Sequence, residues 1–370
     1  MKVLSLFANV GFGEYYFDES GFDVVVANEL LEDRVEFYNK FHSNSADLIA
    51  GDIAKQTTKN NIISYCSQHG NIDLIMATPP CQGMSIANAQ KDKDDIRNTL
   101  IVHAMEVFNE IKPKYMLIEN VPQMAKTFIN YNGQPLNIVE FIKSQLPDGF
   151  ECHCKVLNAK NFGTAQSRSR SICLISKNGM WQHPKSFDNI ITMRDVIDDF
   201  SEFPTLNQGE NSDEWNIPWH FAPKHNANHV EWMTNTKTGQ TAFNNKVHYP
   251  HVMENGEKRE ISGFKTTYKR MEWDSPAPTV TMTNGSISSQ NNVHPGRRYV
   301  DGTYSDARVL TIRELLAICG LPTNCLDKFA KKSDNGSYEY DYSPNFIRKV
   351  IGEMFLPQMA LSIVKPLQDL

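Results

Sequence analysis

The chain has 370 residues, of which 40% are hydrophobic and 22% charged, and this composition is typical of a soluble globular protein with room for a sizeable core. The N-terminal apolar run, residues 1–7, is too short for a signal peptide, and we find no apolar run of about 20 residues that would span a bilayer, so we expect a cytoplasmic protein without a membrane partner. A formal net charge of −6 argues against a nucleic-acid partner unless positive charge is concentrated locally.

Short apolar runs alternate with longer helix-like segments from Met1 to about Lys177, which predicts strands joined by crossover helices in a mostly parallel sheet. Each apolar run ends in polar or acidic residues. Ligands bind outside the carboxyl ends of strands in such sheets, so we expect the functional side chains there. The predicted strands are Val3 to Phe7, Val24 to Asn28, Ile72 to Ala77, Tyr115 to Glu119 and Ser171 to Ser176.

The first three strand ends together predict a nucleoside pocket. The turn after the first strand contains Gly11 and Gly13, and glycines let a ligand approach the backbone closely, although a plain tight turn gives the same pattern. Glu29 ends the second strand and can accept from ribose hydroxyls, while Asp52 can accept from an adenine amino group. The alternatives are that Glu29 caps a helix and that Asp52 starts a turn.

The run Thr78-Pro79-Pro80-Cys81-Gln82-Gly83 follows the third predicted strand. A cysteine thiolate is a strong nucleophile, whereas a lone cysteine is more often a small buried hydrophobe. Two prolines stiffen the backbone directly before Cys81, which favours the nucleophile. The small, polar and basic residues after it predict a loop that closes over a substrate.

Glu119-Asn120-Val121 ends the most apolar predicted strand. An acid in that place is either a helix cap or a proton donor with a raised pKa. Strand alternation across residues 166–170 places Gln166, Arg168 and Arg170 on one face. The two arginines can hold Glu119, a phosphate or a polarised carbonyl oxygen; the alternative is a solvated edge strand.

Seven scattered cysteines do not form a disulfide pattern, and we expect thiols in a reducing compartment. Cys152 and Cys154 form a CxC pair without His or Cys partners at zinc spacing. We interpret the pair as structural and predict no metal site.

Residues 179–306 predict a second, loop-rich domain. All five tryptophans lie there, among many Asn, Thr, Gly and Pro. The positive charge is local, with 7 basic and 4 acidic side chains in residues 256–298. Helical periodicity returns in Leu310 to Ile318 and in Asn345 to Leu367, so we expect residues 307–370 to pack back on a catalytic domain formed by residues 1–178.

At this point the chain resembles the cytosine carbon-5 DNA methyltransferase family from end to end, with the motifs in the family's order. Pro-Pro-Cys-Gln, Glu-Asn-Val and Gln-x-Arg-x-Arg are highly specific, whereas the first glycine turn is not. The chain departs from the family at Asn9, usually glycine, and at Glu353, usually asparagine. The matching residues are Phe7-Ala8-x-x-Gly11, Glu29, Gly51-Asp52-Ile53, Pro79 to Gly83, Glu119 to Val121, Gln166-x-Arg168-x-Arg170, Arg313-Glu314-Leu315 and Gly320-Leu321-Pro322.

The resemblance implies an α/β fold, a Rossmann-like S-adenosylmethionine-dependent methyltransferase sheet with a smaller target-recognition domain. It implies that Cys81 attacks carbon 6 of a flipped-out cytosine, that Glu119 hydrogen-bonds or protonates ring nitrogen 3, and that carbon 5 then takes the methyl group. Arg170 would contact the cytosine carbonyl oxygen, and Arg168 would support Glu119.

The same resemblance implies two sets of binding residues. For S-adenosylmethionine, which leaves as S-adenosyl-L-homocysteine, they are Phe7, Ala8, Gly11, Phe12, Glu29, Leu30, Asp52, Ile53, Pro79, Leu100, Glu353 and Met354. For DNA they are Ser85, Asn88, Lys91, Arg97, Gln166, Thr281, Arg297 and Arg298, of which Thr281 would contact one phosphate and Arg297 or Arg298 another.

We expect a monomer that acts on double-stranded DNA as a prokaryotic modification enzyme, with a restriction endonuclease as genetic partner. One alternative is an RNA cytosine methyltransferase, which acts on transfer RNA. The long recognition segment of roughly 130 residues favours DNA over it. The other alternative is a catalytically silent DNA-binding protein that keeps the fold, and the presence of Cys81, Glu119, Arg168 and Arg170 argues against it.

Overall fold

The computed structural model describes residues 1–80 and 99–370 of the chain. Its central feature is a seven-stranded sheet with the strand order β3-β2-β1-β4-β5-β9-β8. The first five strands in this order pair in parallel with their neighbours. Strand β9 is antiparallel to both β5 and β8. These strands are β1 (Lys2–Leu6), β2 (Asp23–Glu29), β3 (Asp47–Ala50), β4 (Leu74–Ala77), β5 (Tyr115–Asn120), β8 (Phe150–Asn158) and β9 (Ser169–Lys177).

The five predicted strands are confirmed as β1, β2, β4, β5 and β9, and the mostly parallel α/β sheet is confirmed with them. Sequence patterns missed β3 and β8. Both are edge strands that bury few of their residues, so they lack the continuous apolar run that marks a buried strand. The described residues also form three small hairpins: β6 (Phe128–Tyr131) with β7 (Gln134–Asn137), β10 (His251–Glu254) with β11 (Glu257–Glu260), and β12 (Ala330–Lys332) with β13 (Tyr338–Tyr340).

Helices connect the strands and cover the sheet. Helix α3 is the most apolar connector of the parallel half, and its buried residues join the core under β4 and β5. The α-helices of the described residues are α1 (Glu32–Phe41), α2 (Gln56–His69), α3 (Leu100–Ile111), α4 (Ile138–Ser144), α5 (Met193–Ile197), α6 (Ala227–Thr234), α7 (Ile312–Ile318), α8 (Pro344–Glu353) and α9 (Pro357–Val364).

The chain divides into two compact units. Unit 1 comprises Met1–Phe162, Ser169–Ser186 and Phe355–Leu370, and unit 2 comprises Gly163–Arg168 and Phe187–Met354. This division differs from the predicted domains of residues 1–178, 179–306 and 307–370. Helices α7 and α8 belong to unit 2, and α9 belongs to unit 1.

Buried charges explain why α7 and α8 belong to unit 2. Glu314 on α7 pairs with Arg308, whose Nη1 lies 2.8 Å from the carboxylate. Arg348 on α8 donates to the carbonyl of Leu310 over 2.7 Å and to Asn284. Hydrophobic periodicity predicts that a helix has an apolar face, but it does not predict which acceptors a buried arginine on that helix contacts.

One segment, Pro344–Asp369, is long and apolar enough by length and composition to cross a membrane, and 67% of its apolar window is buried inside the protein. It contains α8 and α9, which are separated at Met354 to Leu356. Such burial is that of core helices in a globular protein.

Candidate active site

The turn after β1 lies where the strand order reverses, between β1 and β4, which is the place where open α/β sheets bind ligands. The turn is tied to both neighbouring strands. Ala8 N–H donates to the Asn28 carbonyl of β2 over 2.9 Å, and the Thr78 hydroxyl donates to the Phe7 carbonyl over 3.0 Å. Phe7, Asn9 and Gly11 all have positive φ angles, of 59°, 53° and 76°. The turn is therefore a strained backbone held in place by its neighbours.

Glu29 holds this turn from the end of β2. Its carboxylate accepts from the Asn9 N–H over 2.9 Å and from the Leu31 N–H over 3.0 Å. Neither bond is a helix cap, since the N-cap residue of α1 is Leu31. The alternative that Glu29 caps the helix does not describe the structure.

Asn9 carries an indication that the turn binds a ligand. Its side-chain oxygen Oδ1 is buried, and within residues 1–80 and 99–370 it has no hydrogen-bond partner. A buried unsatisfied oxygen is costly, and such atoms are often satisfied by a ligand. Leu30, directly after Glu29, leaves 57% of its apolar surface exposed at the same edge. An amide oxygen, a carboxylate and an exposed apolar side chain fit a nucleoside.

Asp52, at the next strand end, caps its own turn: its Oδ1 accepts from the Ala54 N–H over 2.9 Å. This is the plain turn role that the sequence left open, and the side chain is half-buried. The neighbouring Ile53 is buried and belongs to the core of unit 1.

The two glycines of the turn do not provide space for a ligand to approach the backbone, which is the role that the sequence suggested. A Cβ on Gly11 would overlap the His42 ring nitrogen and lie 2.6 Å from the Tyr38 ring, and a Cβ on Gly13 would lie 3.3 Å from the Phe355 carbonyl. The space beside both glycines is filled by the protein itself. A close approach by a ligand is therefore not the reason for either glycine.

Phe12 also differs from its predicted role. Its ring is 1% exposed and packs edge-on against Phe37 and Phe41 of α1, at centroid distances of 5.8 and 5.1 Å. The side chain is part of the core. Of Phe12, only the backbone can therefore make the predicted contact with the cofactor. Ala8 is likewise buried, beside Ala27 and Tyr38.

Sequence reasoning missed three residues beneath the turn: Glu14, Tyr38 and His42. Glu14 is buried; it accepts from the Ser5 hydroxyl and, over 2.6 Å, from the Tyr38 hydroxyl. Burial raises the pKa of Glu14 to about 7, against the opposing effect of these two hydrogen bonds. The available signal was the i, i+4 spacing of Tyr38 and His42, which places both on one helix face.

The second part of the site is a buried ion pair at the end of β5. Glu119 is 8% exposed, and its Oε1 lies 2.7 Å from Arg170 Nε at the start of the antiparallel β9. The first helical turn after β5 begins after Val121 and has no side-chain cap. The sequence left open whether Arg170 pairs with Glu119, a phosphate or a carbonyl oxygen, and here its partner is Glu119. Glu119 is also not a helix cap.

Asn120, the last residue of β5, connects this pair to the end of β4. Its side-chain amide donates to the Pro79 carbonyl over 3.0 Å, and its oxygen accepts from the Val121 N–H over 2.8 Å. Pro79 precedes Cys81 by two residues. Cys81 itself lies outside the described residues, as do the predicted DNA contacts Ser85, Asn88, Lys91 and Arg97.

Arg168 and Gln166 precede β9, which begins at Ser169, and both side chains bond to the backbone of Val280. The Arg168 guanidinium donates to the carbonyls of Val280 and Gly352, each over 2.8 Å. Gln166 is fully buried: its amide donates to Cys319 Sγ and accepts from the Val280 N–H. These bonds organise unit 2, and for Gln166 they argue against the predicted contact with DNA.

The predicted phosphate contacts in unit 2 differ from one another. Thr281 is half-buried, with its hydroxyl 3.2 Å from that of Thr283. Arg297 is half-buried and paired with Asp198, 2.6 Å away, and its guanidinium carbon lies 3.9 Å from the Phe200 ring centroid. Arg298 is exposed. Of the two neighbouring arginines, Arg298 is the one whose charge faces solvent.

The remaining predicted cofactor residues have the following positions. Leu100, the first residue of α3, packs against the core of unit 1. Glu353 is half-buried at the end of α8, and Met354 is 3% exposed. Gly352, just before them, has no room for a Cβ, which would lie 2.5 Å from the Thr281 carbonyl group.

The cysteines differ from the expectation of free thiols. The antiparallel register of β8 and β9 places Cys154 opposite Cys173, and the two are joined in a disulfide. Cys152 lies beside them, with the three sulfur atoms within 4.8 Å of one another. Because two of these sulfurs are bonded to each other, the group offers a single thiol and does not fit a metal ion.

Comparisons with known proteins identify the family of this chain. The model of the C-5 cytosine-specific DNA methylase family matches residues 1–369. A Type II methyltransferase, M1.HgaI of Avibacterium volantium, is 37% identical over 98% of this chain and 96% of its own length. M.HhaI of Haemophilus parahaemolyticus, also a Type II methyltransferase, is 30% identical over 53% of this chain and 57% of its own length.

Two crystal structures share the fold. A putative DNA modification methyltransferase encoded within an E. coli prophage superposes with a TM-score of 0.67 at 18% identity, covering 100% of this chain and 99% of the other. The Dnmt2 methyltransferase of S. pombe superposes with a TM-score of 0.55 at 16% identity, covering 100% and 98%. At these identities the likeness concerns the fold alone.

Proposed function

Since the chain belongs to the C-5 cytosine-specific DNA methylase family, we propose that it transfers a methyl group from S-adenosylmethionine to carbon 5 of cytosine in a specific duplex DNA sequence. The observation that carries this proposal is the buried Glu119–Arg170 pair, with 2.7 Å between Oε1 and Nε. Asn120, next to Glu119, holds the carbonyl of Pro79, two residues before Cys81. An acid, a cation and the segment of the nucleophile are thus brought to adjacent strand ends.

In the proposed reaction the Cys81 thiolate attacks carbon 6 of the flipped-out cytosine. Glu119 donates a hydrogen bond or a proton to ring nitrogen 3, and Arg170, while holding Glu119, faces the carbonyl oxygen of the base. Negative charge then does not accumulate on the ring, and carbon 5 becomes the nucleophile. After methylation, carbon 5 loses its proton to a base, the bond from Cys81 to carbon 6 breaks, and the free thiolate is restored.

The bound S-adenosylmethionine supplies the electrophilic methyl group. We assign its nucleoside part to the strand ends that carry Asn9, Glu29, Leu30 and Asp52. The acceptor oxygens of Asn9, Glu29 and Asp52, including the unsatisfied Asn9 Oδ1, fit hydroxyl and amino groups. The other predicted cofactor contacts stay proposals: Phe7, Ala8, Gly11, Phe12, Ile53, Pro79, Leu100, Glu353 and Met354.

Arg168 has a different proposed role from the one the resemblance implied. Its bonds to the Val280 and Gly352 carbonyls place it beneath Thr281, which we propose as a phosphate contact. Arg168 therefore acts as a positioning residue of unit 2, and support of Glu119 is assigned to Arg170.

A direct test is methyl transfer from radiolabelled S-adenosylmethionine to duplex DNA, followed by bisulfite sequencing to locate the modified cytosines. We expect methylation at one short sequence motif and none with Cys81→Ala. DNA containing 5-fluorocytosine should trap a covalent adduct, because fluorine on carbon 5 cannot leave as a proton would. Absence of methylated cytosine, or full activity of Cys81→Ser, would overturn the proposal.

The alternative substrate is transfer RNA, and the same assay with transfer RNA in place of duplex DNA separates the two. The relatives named as Type II methyltransferases favour DNA. By analogy with them we propose that the protein works as a cytoplasmic monomer that protects DNA from a partner endonuclease. DNA from expressing cells should then resist that endonuclease, and cleavage at fully methylated sites would contradict the pairing.

A further inference from the structure

The turn from Phe7 to Glu14, which we assign to the cofactor, is supported from below by α1. His42, the C-cap residue of this helix, places its ring Nε2 3.1 Å from the Gly11 carbonyl oxygen. A carbonyl only accepts, so Nε2 carries the hydrogen and donates it. The Tyr38 ring lies one helical turn earlier and 4.5 Å from the His42 ring, centroid to centroid.

These two rings explain the glycine at position 11. Its φ of 76° is in the left-handed region, and a Cβ there would overlap His42 Nε2 and approach the Tyr38 ring to 2.6 Å. The turn thus lies directly on the helix. A hydrogen bond, and not just van der Waals contact, fixes the height and orientation of the Gly11 peptide.

Glu14 anchors the same assembly from the other end of the turn. The Tyr38 hydroxyl donates to its Oε2 over 2.6 Å, and the Ser5 hydroxyl of β1 donates to its Oε1. The buried carboxyl therefore joins β1, the turn and α1. On the opposite side, the turn is held by the Asn9 N–H bond to Glu29.

From this geometry we infer that His42 is a positioning residue for the S-adenosylmethionine site, acting through the Gly11 carbonyl, with Tyr38 and Glu14 as its support. The inference rests on the proposed cofactor. His42 lies beneath the turn and sets its backbone conformation, while Asn9 and Glu29 offer the polar groups. Loss of the His42 donor should therefore weaken cofactor binding more than it slows the chemistry.

The test measures binding without catalysis, as the Kd for S-adenosyl-L-homocysteine by calorimetry on the full chain without DNA. His42→Leu keeps the bulk and removes the donor, and we expect roughly 5- to 10-fold weaker binding. His42→Gln places an amide nitrogen near the position of Nε2, and should restore binding to within about twofold. Tyr38→Phe should weaken binding about threefold by freeing the ring beneath His42.

His69→Leu is the matched control. His69 ends α2 and also makes one polar side-chain contact, to Asp47 over 2.7 Å, but at the amino-terminal end of β3. We expect its Kd to equal that of the wild type. In steady-state assays His42→Leu should raise KM for the cofactor by the same factor as Kd, with kcat within about twofold. Melting temperatures show whether each variant folds. If His42→Leu is unfolded, Tyr38→Phe becomes the variant that tests the inference.

Unchanged binding by folded His42→Leu and Tyr38→Phe would overturn the inference. So would a fall in kcat without a change in Kd, or equal losses in His42→Leu and His42→Gln. If the wild type binds S-adenosyl-L-homocysteine through His42 but never methylates DNA, the proposed function fails and the inference stands. If the wild type binds neither form of the cofactor, both fail.

Discussion

The two units of the protein are stabilised in different ways. In unit 1 the sheet and its helices bury a continuous apolar cluster that extends from Leu4 to Ile175. In unit 2 a second apolar cluster forms around Trp232, Met233 and Val293, and the interior also holds charged side chains. Arg270 is fully buried there, and its guanidinium donates to the backbone carbonyls of Met233, His294, Ser305 and Asp306.

The centre of unit 2 is a network around Arg308. Its guanidinium lies 2.7 Å from Asp306 and 2.8 Å from Glu314, and all three side chains are almost completely buried. Burial of charge is costly unless it is paired and hydrogen-bonded. The comparison teaches that a loop-rich unit with few strands uses buried charged partners, in addition to apolar packing, to fix its specific shape.

The largest expected effect tests the site of unit 1. Glu119→Gln keeps the shape of the side chain but removes the acid, and we expect kcat to fall by about 10²- to 10⁴-fold in the methyl-transfer assay. Glu36→Gln, which removes an exposed acid paired with Lys40, is the control and should leave kcat unchanged. Activity of Glu119→Gln close to that of the wild type would contradict the assigned role.

The second prediction breaks the network of unit 2. Arg308→Met leaves two buried carboxylates without their partner, and we expect the free energy of unfolding to fall by about 3–5 kcal/mol. Tryptophan fluorescence in urea follows it, because four of the five tryptophans lie in unit 2. The matched control is Arg259→Met, which removes an exposed pair with Glu254 and should cost about 0–1 kcal/mol. Equal losses in both variants would refute the stabilising role of the buried network in unit 2.

The third prediction concerns pH, for which the two units have opposite signs. In unit 1 burial raises the pKa of Glu14 from 4.5 to about 7, so its stabilising contribution is present below pH 4.5 and is lost as the pH rises through 7. In unit 2 burial lowers the pKa of His294 from 6.5 to about 4. The positive charges of Arg308 and Arg270 lower this pKa further, whereas the negative charges of Asp306 and Glu314 partly oppose the shift. Its contribution is present above pH 6.5 and is lost as the pH falls through 4.

Urea unfolding between pH 4 and 7.5 measures both effects, with tryptophan fluorescence for unit 2 and far-ultraviolet circular dichroism for the whole chain. Each effect should be on the order of 1–3 kcal/mol. Glu14→Gln should remove the loss toward neutral pH, and His294→Asn the loss toward acid pH. Slopes that persist in these variants would assign the titrations to other groups.

The smallest expected effect separates the two neighbouring arginines of unit 2. Arg298→Ala removes an exposed charge, so we expect DNA binding to weaken by about 1 kcal/mol for all sequences, with the salt dependence reduced by about one counterion. Arg297→Ala should instead lower stability, because Asp198 and Phe200 lose their partner. Titrations of labelled duplex at several salt concentrations, together with melting curves, distinguish the two outcomes. If Arg297→Ala weakened DNA binding and Arg298→Ala lowered stability, the two assigned roles would be wrong.

The sequence by itself determined five of the seven strands in the sheet of unit 1. Buried parallel strands are continuous apolar runs, and the polar carboxyl ends of two predicted strands identified Glu29 and Glu119. The specific motifs around Cys81 and Glu119 determined the family, which the comparison confirmed over residues 1–369. Local patterns suffice here because the interactions of a parallel strand with its neighbours need only apolar residues in the right period.

Only the tertiary structure decided which polar groups meet. The pairing of Arg170 with Glu119, the bonds of Arg168 to Val280 and Gly352, and the contact of His42 with Gly11 join residues far apart in sequence. The same holds for the Cys154–Cys173 bond, which depends on strand register, and for the membership of α7 and α8 in unit 2. Hydrogen bonds and ion pairs depend on distance and direction, and these exist only once the chain has folded.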